Sequence, residues 1–268
     1  MKTSFLKLTE RFLKRRNYDT EITTQKLQHR NYDTEIPHGF HFIKKFTTLS
    51  FMQKYEKPQL IQLTDTISYL PATHKPFSCD VVFIKTDDAT WIFDVGCSKE
   101  AAEKINEIQG KKNIVISHFH PDHTLNLLRV SYNNLYVSKH TKKHTLKGTV
   151  IDRDSTFSST PEISVVLFPS SHTKGCLCLL CGDYAFMGDG TYAKEKRGDH
   201  TYNAQILKEE IETLERMPCT YMCLSHDARF VQERGDVIAL LKEIYARRTP
   251  NNPIISVEDF FNPDGSVK

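Results

Sequence analysis

The chain has 268 residues, 39% of them hydrophobic, so one sizeable domain with its own core is expected. A net charge of +3 and a pI near 8.4 are too mild for a dedicated nucleic-acid binder. Seven cysteines, an odd number, and no secretory signal exclude a disulfide framework and point to a reduced, cytoplasmic protein. No apolar run approaches the roughly 18 residues that a membrane span requires.

Residues 1–58 read as an N-terminal extension. RNYDTEI occurs at Arg16–Ile22 and again at Arg30–Ile36, a tandem copy too short and polar for a solenoid. MKTSFLKLTERFLKRR has the pattern of a basic amphipathic helix, and Met52 is the expected true start. Residues 59–268 read as the folded domain.

From Gln59, the runs LIQLT, ISYL, VVFIKT and WIFDV, broken by turn residues, predict a β-meander. A helix over Lys99–Ile108 precedes the strand NIVIS, and a second helix is predicted over 123–130. SKHTKKHTLKG predicts an exposed basic helix. The strands LYV, ISVVLF, CLCLL and YAFM follow, then helices near Tyr202–Met217 and Asp236–Arg247 that flank the strand TYMCLS. The tail beyond Arg248 reads as a loose end. Strands and helices in both halves predict an α/β protein with sheets inside.

The chemistry is concentrated in SHFHPDH after the strand NIVIS. His118 and His120, two apart in extended backbone, point to one side, and Asp122 and His123 follow past Pro121. Four donors in so short a loop exceed what one catalytic zinc takes, which suggests two metals. Cys176, Cys178, Cys181, Cys219 and Cys223 lack paired CxxC spacing and read as strand fillers. His140 and His144, at i, i+4, lack a third ligand beside them.

HxHxDH at His118, His120, Asp122 and His123 resembles the signature of the metallo-β-lactamase-fold hydrolase superfamily. PSSHTKG with His172, FMGDG with Asp189, CLSHD with His226 and FDVG with Asp94 extend the resemblance over residues 59–247. It implies a four-layer αββα sandwich in which His118, His120 and His172 hold one metal. Asp122, His123 and His226 hold the other, Asp189 bridges them, and Asp94 supports the ligand loop.

Two Zn2+ ions are implied, with iron or manganese as alternatives, and Asp122 would also orient the nucleophile or accept its proton. The aspartate at 189 argues against lactamases with a cysteine ligand. His120 and the lack of a flavodoxin domain argue against flavodiiron proteins. What remains is similar to the compact glyoxalase II and lactonase branch, without glyoxalase II's helical substrate domain.

The resulting expectation is hydrolysis of a thioester, lactone or ester in a small-molecule substrate by hydroxide held between two metals. Lys194, Lys196 and Arg197 in TYAKEKRGDH would meet an anionic group. A phosphodiesterase or nuclease, a mononuclear-iron persulfide dioxygenase, and a binding protein without catalysis are the alternatives. Neither nucleic acid nor membrane is a favoured partner.

Overall fold

The computed structural model describes residues 58–257, so the duplicated heptapeptide, the amphipathic leader and Met52 lie outside the described residues. The expected meander is the start of a seven-stranded sheet. β1 (Ile61–Gln62), β2 (Ile67–Leu70), β5 (Val81–Lys85) and β6 (Thr90–Phe93) pair antiparallel, with a separate hairpin of β3 (Thr73–His74) and β4 (Phe77–Ser78) inserted. Beyond β6 the sheet turns parallel through β7 (Lys112–Val115), β8 (Asn134–Ser138) and β9 (Thr149–Ile151). Parallel neighbours need crossovers. Helices α1 (Lys99–Glu107), α2 (Pro121–Thr124) and α3 (Lys139–Thr145) lie in those connections.

A six-stranded sheet follows, in the order β10 (Ser155–Phe157), β11 (Ile163–Phe168), β12 (Cys176–Cys181), β13 (Tyr184–Gly188), β16 (Tyr221–Leu224), β17 (Val231–Glu233). The two sheets close face to face over Val82, Trp91, Phe93 and Val115 on one side and Val165, Leu177, Leu179 and Phe186 on the other. On the outer face of the first sheet, Ala101 and Ile105 of α1 pack on Val81, Ile92 and Ile114. On the outer face of the second, α4 (Ala204–Arg216) and α5 (Arg234–Ala246) bury Leu207, Leu214, Leu241 and Ile244. The layers are therefore helix, sheet, sheet, helix, as the sequence implied.

Strand β12 shows why CLCLLC is an unbroken apolar run. Alternate residues face opposite ways: Cys176, Cys178 and Leu180 meet the helices, while Leu177, Leu179 and Cys181 meet the other sheet. Both faces are dry, so no polar alternation survives. Each large side chain buried there contributes about 1.5–3 kcal/mol. All seven cysteines are free, and burial pushes the Cys176 thiol up to about 12. Helix starts follow local chemistry, with Ser98, Ser138 and Asn203 accepting from first-turn amides of α1, α3 and α4.

Three expectations are corrected. The helix predicted over 123–130 is one turn of α-helix, α2, followed by a 3-10 turn at Leu125–Leu128. Asn126 is the cause: its buried amide donates to the carbonyls of Val95 and Ser98, and this tertiary anchoring tightens the backbone. The segment TYAKEKRGDH is a hairpin of β14 (Lys194–Lys196) and β15 (Asp199–Asn203) rather than a loop. The described part of the tail, up to residue 257, is no loose end, because β18 (Ile254–Ser256) pairs with β15 and buries Ile255. Among the described residues, no helix is long and apolar enough to cross a membrane.

Candidate metal centre

Strands from both sheets end at one place. His118 follows β7, His172 lies in the turn after β11, Asp189 follows β13 directly and His226 lies two residues past β16. The amide of Leu177 donates to the carbonyl of Ser117, tying the second sheet to the motif of the first. Pro121 occupies the first turn of α2, where its missing N–H costs nothing. That turn swings Asp122 and His123 back toward the strand ends.

The seven residues named from the sequence come together. His118 Nε2 lies 2.9 Å from His120 Nδ1, which lies 3.1 Å from His172 Nε2. Asp122 Oδ2 lies 3.0 Å from His226 Nε2 and 3.3 Å from His123 Nε2. Asp189 stands between the sets, with Oδ2 at 3.5 Å from His172 Nε2 and Oδ1 at 3.5 Å from His123 Nε2. His118, His120 and His172 form one group that could hold a metal ion, and Asp122, His123 and His226 form another.

The donor set fits divalent metals on physical grounds. Three imidazole nitrogens aimed at one another cannot all be protonated without strong repulsion, whereas one cation takes their lone pairs together. His123 Nε2 is buried and makes no hydrogen bond among the described residues, yet carboxylate oxygens stand on two sides of it. Burial, then the neighbouring His123, pushes His118 well below the usual histidine range, toward the neutral form a ligand needs. His123 is the opposite case. Burial disfavours its charge, but Cys79, Asp122, Asp94 and Asp189 outweigh burial and hold it well above the usual range. For Asp122, burial is outweighed by His123 and His226, which keep the carboxyl ionised, well below the ordinary carboxylate range.

Supporting residues lock these donors. Asp94, in left-handed backbone at φ 60°, accepts from His123 Nδ1, the Ser117 hydroxyl and the Ser117 amide, each at 2.7 Å. Fixing the far ring nitrogen in this way sets the tautomer that presents Nε2 to a metal. Opposite Ser117, Gly188 has φ 54°, and a Cβ there would sit 2.6 Å from both Ser117 Cβ and Oγ. Gly188→Ala should therefore lower stability by about 2–4 kcal/mol, through the left-handed backbone and the push on Ser117. Urea unfolding of the two proteins checks this.

The sequence reading missed several residues of this shell. Asp80, buried just before β5, accepts from the amides of Ala72 and His226 and holds the left-handed turn at His226. Phe77 of β4 stacks on the His226 ring at 4.3 Å. The Cys79 thiol lies in a group with Asp94 and His123. Ser170 accepts from the His172 amide and donates to the Gly190 carbonyl, joining the turns that carry His172 and Asp189. An acid before a strand and a phenylalanine in a hairpin are ordinary surface patterns, so only the order of SCD before VVFIK hinted at them.

Glu210 of α4 was also missed. It is fully buried, with Oε1 accepting from the Ser171 amide at 2.6 Å and Oε2 without a hydrogen-bond partner among the described residues. Burial pushes its carboxyl from 4.5 up to about 8, against the Ser171 bond, so the native state keeps a proton that the unfolded chain loses. The stability this contributes is complete below pH 4.5 and is lost as pH rises to about 8, at up to about 1.4 kcal/mol per unit. Glu210→Gln keeps the acceptor and removes the titration. Urea unfolding across that range should show the wild type losing stability against the variant as pH rises.

Lys194, Lys196 and Arg197 are exposed along the β14–β15 hairpin. The hairpin's root is at the site, since the carbonyl of Ala193 lies 3.2 Å from His172 Nδ1. The five cysteines read as strand fillers are buried and belong to none of the candidate metal groups among the described residues.

This arrangement, two packed sheets between helices with histidines and aspartates at their shared edge, defines a metallo-β-lactamase fold. Residues 74–164 match the family model of the metallo-beta-lactamase superfamily. No curated protein matches the chain. Among solved structures it is similar to a metallo-beta-lactamase from Pontibacter korlensis, at 16% identity and TM-score 0.53, over 69% of this chain and 99% of that one. It is also similar to the chemotaxis sensor ODP, described as a peroxy diiron species, at 14% identity and TM-score 0.54, over 72% and 96%. The metallo-beta-lactamase SMB-1 matches at 13% identity and TM-score 0.52, over 70% and 95%.

Proposed function

We propose that the domain is a metal-dependent hydrolase that cleaves an ester-like bond, a thioester, lactone or simple ester, in a small substrate. The observation that carries this reading is the placement of Asp189, whose two oxygens face the two three-residue donor groups separately. His118, His120 and His172 would hold one divalent ion, Asp122, His123 and His226 the other, with Asp189 shared; zinc is the ion we propose, although iron and manganese take the same ligand types. A bound divalent ion supplies Lewis acidity, lowering the pKa of water from about 15.7 towards 7 and polarising an acyl oxygen.

The chain's own residues do the rest. Asp122 is the most open of the second donor group, its side chain 15% exposed against 0% for His123 and 5% for His226. It can therefore orient an attacking water from the mouth and accept its proton. Asp94 and Asp80 hold His123 and His226 in place, and Phe77 shields the His226 ring from water. Lys194, Lys196 and Arg197 supply cations on the hairpin side. Seven unbridged cysteines suit a reducing compartment, and we place the activity in the cytoplasm.

An iron-dependent redox activity is the second reading, favoured by the similarity in fold to a protein described as a diiron species. Elemental analysis of protein purified without added metal separates the two. Two zinc ions per chain with turnover of a thioester, lactone or ester panel is the expected result. One or two irons per chain with no ester hydrolysis would overturn the hydrolase, and selective phosphodiester cleavage would move it to the phosphodiesterase or nuclease branch.

A further inference from the structure

We propose that Phe119, His140, Lys143, His144 and Lys174 form a subsite for the anionic end of the substrate, a carboxylate or phosphate, beside the first donor group. Three segments build it. Phe119 lies between two of the donor histidines in sequence, its ring 4.9 Å from His120. On its other side it stacks on His144 at 4.0 Å with 14° between the planes, and His140 stands 5.2 Å away. The turn carrying His172 brings Lys174 to the same place. Gly175 lets it approach, since a Cβ there would sit 2.6 Å from Ser138 Oγ and 2.7 Å from His140 Cβ.

Among the described residues, no ion pair compensates Lys143 or Lys174 of this patch, and helix α3 contains no acidic residue. Burial, then Lys143, His144 and Lys174, pushes His140 below the usual histidine range, which marks the sign of the local field. On the β14–β15 hairpin, by contrast, Glu195 and Asp199 are interspersed with Lys194, Lys196 and Arg197. An anion therefore finds unpaired cations at α3 and partly neutralised ones at the hairpin. Imidazole and ammonium donors on a ring platform suit a compact oxyanion. The patch lies two ring contacts from the donor histidine His120, within the span of one small substrate.

The inference rests on the hydrolase reading, but its test does not need turnover. The imidazole proton signals of the full-length, metal-loaded chain are followed by NMR during titration with inorganic phosphate and, separately, succinate. The His140 and His144 signals should move, and Lys143→Ala/Lys174→Ala should weaken the response about tenfold. Lys99→Ala/Lys208→Ala, which removes two lysines already paired with Glu103 and Glu212, should leave it unchanged. The stronger of the two anions identifies the group recognised.

Signals that stay still with both anions, or equal affinity in wild type and the Lys143/Lys174 variant, would overturn the subsite. So would binding of a short single-stranded RNA that the variant abolishes while phosphate moves neither histidine. In a matched pair of esters, mono-p-nitrophenyl succinate and p-nitrophenyl acetate, the variant should raise KM for the anionic ester alone. If no thioester, lactone or ester of the panel is cleaved, the hydrolase reading fails and the anion titration still decides the subsite.

Discussion

Asp189→Ala is expected to lose metal and turnover together while keeping its sheets. The turn that carries Asp189 is closed by main-chain bonds, Gly190 N–H to the Met187 carbonyl and Tyr192 N–H to the Asp189 carbonyl, and alanine leaves both intact. The carboxylate itself faces His172 on one side and His123 with His226 on the other. Without it, neither donor group keeps a negative charge shared with the other. Loss of a residue that only supports a metal ligand costs 10–100-fold in affinity or activity. Loss of a shared ligand should exceed that, so turnover should fall by more than about a hundredfold. Elemental analysis should find fewer than two ions per chain, and circular dichroism an unchanged fold. Wild-type turnover at wild-type metal content would remove the basis of the proposed mechanism.

The second large effect is expected at Asp94. Its carboxylate is buried, and its two oxygens meet three donors from Ser117 and His123. Asp94→Ala leaves those donors buried without an acceptor, which costs about 3–5 kcal/mol. The His123 ring also loses the partner that fixes its tautomer, so metal affinity should drop 10–100-fold. Asp94→Asn is the informative companion. Asparagine tolerates left-handed backbone, but its side chain offers one acceptor atom where three donors wait. It should fall between wild type and alanine in urea unfolding and in competition with a chelator. An asparagine variant as stable and as metal-retentive as wild type would mean that Asp94 is only a turn residue.

Much of this architecture was legible in the sequence, because strand periodicity, turn residues and caps are local. The unbroken apolar runs VVFI and CLCLLC predict strands for the same reason that they form them, burial on both faces. The motif was legible from its donor spacing, and the later His172, Asp189 and His226 through the family resemblance, which expects each of them after a strand. What escaped was set by contacts distant in sequence. Asn126 broke a predicted helix by bonding to residues 28 and 31 positions away. Asp80 reaches His226 across 146 positions, and Glu210 reaches Ser171 across 39. The tail read as loose because Ile254–Ser256 alone carries no hint of the hairpin with which it pairs.

That pairing bears on how the protein is handled in the laboratory. Beyond the β15–β18 ladder, Ala204 N–H bonds to the Pro253 carbonyl and Val257 N–H to the His200 carbonyl. Residues 253–257 thus back the hairpin whose root touches His172. A protease cut, a cloning scar or a fused tag between Arg248 and Pro253 would act at a distance on the rim of the candidate metal centre. A version trimmed there could keep its two main sheets and still change what it accepts as substrate.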